Sequence, residues 1–139
     1  MKQIYITFIR SILEYSCPVW HSSLTNENRE DIERIQKSAL RIILQEKYKD
    51  YTNALDTIDL EPLEDRRTNI CLTFAKKCVQ NPKTKSMFPL KTSNHSTKLR
   101  SIETFKTTHS NTNRLKNSAI PYMTKILNEY KHQENIALR

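Results

Sequence analysis

Not one glycine occurs in the 139 residues of this chain. A loop can approach a phosphate closely only where the backbone lacks a Cβ, so Gly-rich phosphate cradles and dinucleotide-binding turns are excluded. Two-residue hairpin turns need positive φ and become costly for the same reason. Only 5 prolines interrupt long stretches whose apolar residues recur at helical spacing. The expected fold class is therefore all-α, a small helical bundle of about four to five helices.

Residues 3–15 place Ile4, Phe8, Ile12 and Tyr15 on one helical face, widened by Ile9 and Leu13, as in a helix that is buried or faces a partner. Cys17-Pro18 ends that run, because proline disfavours helical geometry in the residue before it, and VWHSSLT follows as a linker. Thr25 or Asn26 can cap a second helix reaching about Gln45, with Glu27, Glu30 and Asp31 near its positive end. Its inner face is expected to be Ile32, Ile35, Ala39, Ile42 and Ile43, with Lys37 and Arg41 outward. Thr52 can cap a shorter segment over 53–58. Pro62 opens the best-marked helix, where its missing N–H costs nothing. Leu63, Ile70, Cys71, Phe74 and Cys78 recur along that helix, Glu64 and Asp65 occupy its first turn, and Asn81-Pro82 stops it.

The composition then shifts. Residues 1–81 carry 12 Lys/Arg and 12 Asp/Glu, whereas residues 82–139 carry 11 and 3, so the whole net charge of +8 falls after residue 81. Such a bias is the footprint of polyanion binding or of a solvated basic tail. From Pro82 to Asn117 Ser, Thr and Asn dominate and apolar residues are too sparse for a core. That stretch is either a disordered linker or an extended segment ordered by contact, and the spaced Phe88 and Phe105 favour the second. Ser118 can cap a last helix in which Met123, Ile126, Leu127 and Tyr130 align. The organisation expected is thus a helical region over 1–81, a basic polar connector over 82–117 and a C-terminal helix over 118–134.

Catalytic constellations are scarce. Two-metal nucleotidyl chemistry needs carboxylates held close together, and the adjacent acidic pairs, Glu30-Asp31 and Glu64-Asp65, lie in first helical turns, where the helix dipole explains them. Cys17 and His21 have a ligand-like spacing, but no second Cys/His pair answers them, so no metal is expected. Cys71 and Cys78 read as small core residues. Three cysteines, with no signal peptide or membrane span, suit an intracellular, reducing compartment, and neither a membrane nor a small-molecule substrate is expected as a partner. The residues best suited to meet phosphates are Arg66, Arg67, Lys76 and Lys77 on the long helix and Lys98, Arg100, Arg114 and Lys116 along the polar stretch.

Four phrases in order, FIRSILEYSCPVWHSSLT, IERIQKSALRIIL, EPLEDRRTNICLTFAKKC and RLKNSAIPYMTKILN, resemble the region downstream of the polymerase core in reverse transcriptases of non-LTR retrotransposons, most nearly the jockey-like group. Gln45 stands where that family commonly has glycine, and residues 83–113 match loosely. The resemblance implies RNA-directed DNA synthesis by a parent polymerase whose palm aspartates hold Mg²⁺ upstream of this segment. It implies no cofactor in this chain, and as partners RNA or an RNA–DNA hybrid together with the polymerase core. By itself the segment is expected to be inactive, a thumb-like accessory region. Two other readings are a helical protein-interaction module using the apolar faces of 3–15 and 118–130, and a transposon relic that does not fold stably.

Overall fold

The computed structural model describes residues 1–91 and 104–137. The fold is all-α. Helix α1 (residues 2–14) runs through α-helical Lys2–Ile4, π-helical Tyr5–Arg10 and α-helical Ser11–Glu14, and α2 is Cys17–Trp20, prolonged by a 3₁₀ turn His21–Ser23. Then follow α3 Asn26–Leu44, α4 Tyr51–Ile58, α5 Leu63–Gln80, α6 Asn113–Lys116 and α7 Ala119–Ala137. Among the described residues the sole β pairing is one antiparallel bridge, Leu90 with Phe105. Packing divides the chain into two compact units, Met1–Ile70 and Cys71–Arg139. The boundary between the units falls inside α5, whose second half carries the buried residues Cys71, Ala75 and Cys78.

In the first unit, α3 and α4 pack around Leu40, Ala54, Leu55 and Ile58. Burying each of the three larger side chains contributes about 1.5–3 kcal/mol. The inner face of α3 differs from the expected one. Gln36 and Leu40 are fully buried, whereas Ile35 and Ile42 are exposed. Gln36 tolerates burial because all its polar atoms are met: Tyr5 Oη donates to Oε1 at 2.6 Å, and Nε2 donates to Tyr51 Oη and to the Glu61 carbonyl, each at 3.0 Å. Glu33 Oε1 accepts from Tyr51 Oη and, at 3.2 Å, from the backbone N–H of Leu63, which places a carboxylate on the positive end of α5. Burial pushes the Tyr5 phenol up to about 12, and it raises the Tyr51 phenol as well, with the Glu33 hydrogen bond adding to it.

Helix α1 inverts its expected orientation. Of its residues only Tyr5 is buried, and the stripe Ile4, Phe8, Ile12 and Tyr15 lies open, up to 77% exposed at Tyr15. The polar side makes the inward contacts instead. Lys2 donates to the Ile58 carbonyl, Tyr5 to Gln36, and Glu14 pairs with Arg66. Of the two readings of this helix, the buried one is thereby corrected: hydrogen bonds and ion pairs claimed the inner side before the apolar face could.

Helix ends largely follow local chemistry. Thr25 Oγ1 accepts from the Asn28 N–H at 3.2 Å as the cap of α3. The cap of α4 is Asp50, accepting from Asn53 N at 2.8 Å, and not Thr52, which lies inside the helix. VWHSSLT is no loose linker, since Pro18 in the first turn of α2 lets Cys17–Trp20 coil once more.

In the second unit, Phe88 and Phe105 are each 2% exposed, so this part of the polar connector is ordered by contact. The buried Asn128 of α7 holds it. Its Oδ1 accepts from the N–H groups of Thr104 and Phe105 at 3.1 and 2.9 Å, and its Nδ2 donates to the Phe105 carbonyl at 3.0 Å. Lys91 N and Lys106 N complete a short ladder to Thr104 O and Pro89 O. Met123, Ile126 and Leu127 are buried as expected, but the Ser118 hydroxyl donates back to the Leu115 carbonyl instead of capping α7. The connector also holds a helix of its own, α6, capped by Thr112 Oγ1 on Leu115 N at 3.2 Å.

Candidate nucleic-acid interface

Each residue expected to meet phosphate must present its charge to solvent. Arg67 does not: its side chain is fully buried in the first unit. The reason lies in its position on α5, where Leu63, Arg67, Cys71, Ala75 and Cys78 form one buried stripe at helical spacing. Arg67 Nε donates to His21 Nδ1 at 3.4 Å. A guanidinium has no acceptor to offer, so Nδ1 must be unprotonated and the ring proton resides on Nε2. Nε2 lies 3.3 Å from Thr68 Oγ1, and that hydroxyl donates to the Glu64 carbonyl at 3.0 Å. The result is a directed relay, Arg67 to His21 to Thr68 to backbone.

Burial, reinforced by the Arg67 and Arg29 charges, pulls His21 down to about 4, keeping the ring neutral. Burial likewise lowers Arg67, while the Glu33 and Glu64 carboxylates oppose that shift. Nη1 and Nη2 of Arg67 reach no acceptor among the described residues. Cys17, which stands at ligand-like spacing from His21, is buried with its Sγ directed at the Arg67 carbonyl at 3.9 Å. This cluster is a packed polar core. Arg67 is thus corrected from a phosphate contact to a core residue.

Arg66 is engaged as well. Its side chain is 36% exposed and paired with Glu14, which also lies 3.7 Å from Arg10. An open cleft of about 500 Å³ beside it gathers Lys2, Arg10 and Arg66 with Asp56, Asp59 and Glu61. Three cations against three carboxylates give no preference for a polyanion.

The second unit is different. Lys77, Arg114 and Lys116 are exposed, the last two on α6, with no ion pair to a carboxylate among the described residues. Lys76 is half-buried, its Nζ 3.2 Å from the centroid of the Tyr130 ring. Lys98 and Arg100 lie outside the described residues.

The chain matches no protein-family model, no curated protein and no solved structure.

Asp31 pairs with Arg34 at 2.7 Å and Glu64 with Arg29, and among the described residues no three His, Cys, Asp or Glu side chains converge. No helix of the described residues is long and apolar enough to cross a membrane.

The sequence reading leaves out Lys131 and gives Phe105 and Tyr130 no part in meeting nucleic acid. Lys131 Nζ lies 5.5 Å from the Phe105 ring centroid, so each of two lysines of this unit is set against an aromatic face. The aromatic residues interleaved among basic ones after Pro82 are the signal that could have found them.

Proposed function

We propose that this chain is the thumb-and-downstream region of a non-LTR retrotransposon reverse transcriptase, and that it contacts RNA or an RNA–DNA hybrid on behalf of a larger polymerase. The supporting observation is the charge: the entire excess of +8 follows residue 81, and Lys77, Arg114 and Lys116 present theirs to solvent. The order of the four helical phrases supports the family. Nucleotide addition belongs to the polymerase core, whose carboxylates hold Mg²⁺, and the accessory region supplies electrostatic grip along the template and product. Arg66 and Arg67 are structural in this reading.

Substitution tests it. The double substitution Arg114→Gln, Lys116→Gln should make the log–log salt dependence of hybrid affinity shallower by about 1.8, whereas Arg67→Met should leave it unchanged. An unchanged slope in the double variant would remove α6 from the interface.

A second reading, a protein-interaction module, is favoured by the open stripe Ile4, Phe8, Ile12 and Tyr15. Of the two faces it would use, the one on α7 is already occupied, since Met123, Ile126 and Leu127 are buried. The α1 stripe fits equally the surface on which the polymerase core would close.

A further inference from the structure

The second unit contains an open cleft of about 260 Å³ whose lining includes Lys76, Phe105, Leu127, Tyr130, Lys131 and Glu134. We propose that this cleft is a subsite for one unpaired nucleotide of single-stranded RNA or DNA, with the base or sugar against Tyr130 and Leu127 and the flanking phosphates drawn to Lys76 and Lys131. The proposal rests on the nucleic-acid reading above and adds the form of nucleic acid preferred.

Three observations carry it. The first is the pairing of cations with aromatic faces. Lys76 Nζ lies 3.2 Å from the Tyr130 centroid and Lys131 Nζ 5.5 Å from that of Phe105. An ammonium held over a ring has already lost much of its rotamer freedom, so less is lost when a phosphate arrives. The second is the division of labour between the rings. Phe105 is 2% exposed and fixed by Asn128, so it acts as support, while Tyr130 is half-buried, carries Lys76 over its ring and lines the cleft. The third is size, because the cleft lies just below the usual volume range of ligand pockets and is scaled to a single base rather than to a duplex. Glu134 opposes anions, leaving two positive charges against one negative.

The decisive experiment is fluorescence anisotropy on the full chain, with a single-stranded oligouridine and an RNA–DNA hybrid of equal length, across a salt series. Tyr130→Leu should weaken single-strand binding about tenfold, in the range of lost base stacking, and leave hybrid binding unchanged. Lys76→Gln with Lys131→Gln should reduce the single-strand salt slope by about 1.4, and Glu134→Gln should tighten single-strand binding. Circular dichroism melts show whether each variant is folded. If Tyr130→Leu melts early, the lysine pair decides alone. Salt-dependent binding by the wild type that neither Tyr130→Leu nor the lysine pair alters would overturn the subsite while leaving the broader reading intact. No binding by the wild type at any salt would overturn both.

Discussion

Arg67 is a residue whose role reverses between sequence and structure, and the reversal has a physical origin. In the sequence, Arg67 sits beside Arg66 near two carboxylates and reads as half of a basic patch. In the fold it occupies the centre of the buried stripe of α5, and its partner His21 arrives from 46 residues earlier. Leu63, Cys71, Ala75 and Cys78 bracket position 67 at helical spacing, but an arginine among them reads as outward, and nothing local ties the histidine to α5. Burial of His21, with the Arg67 and Arg29 charges beside it, makes stability depend on pH. His21 titrates near 6.5 when unfolded and near 4 when folded. Above 6.5 both states are neutral and the full stability is present. As pH falls below 6.5 the unfolded chain binds a proton that the folded one refuses, so stability declines until about pH 4, by on the order of 3 kcal/mol. Urea melts of wild type and His21→Gln between those pH values should diverge, with the wild type losing more; parallel curves would contradict a His21 buried in its neutral form.

Positive φ in a chain without glycine governs the elements. Ser16, Gln45 and Asp59 take φ of 51°, 49° and 55°, each following a helix. Aspartate and serine are short polar residues, and aspartate in particular tolerates the left-handed region. Gln45 does not share that tolerance, and with ψ at −119° it adopts a conformation that suits glycine. Gln45→Gly should therefore raise stability by about 1 kcal/mol, a rise in melting temperature of a few degrees, while Gln45→Ala should give no gain. An equal response to both would show that φ at this position carries no strain. Helix existence was legible between Thr25 as cap and Asn81-Pro82 as stop, but not for α2 or α6. Helix facing was less so. Ile35, Ile42 and Phe74 lie exposed, while Gln36 and Arg67 lie inside. Long-range hydrogen bonds selected those faces, and periodicity counts only apolar residues. The Asn128 clasp on residues 104–105 escaped notice for the same reason, since it joins segments 23 residues apart.

Across the whole molecule, charge and apolar surface follow separate courses. The first unit is neutral in its cleft and spends its arginines on ion pairs with Glu14 and Glu64 and on the core at Arg67. The excess positive charge falls after residue 81. This asymmetry was legible from counting alone, whereas the arrangement of Lys76 and Lys131 over aromatic rings needed the fold. Together they make the second unit the place where phosphate would be met. The most direct measurement is the affinity of the full chain for an RNA–DNA hybrid as a function of salt concentration. Neutralising about five phosphates predicts a log–log slope near −4.5. An affinity indifferent to salt would contradict a polyanion-binding role for the basic half.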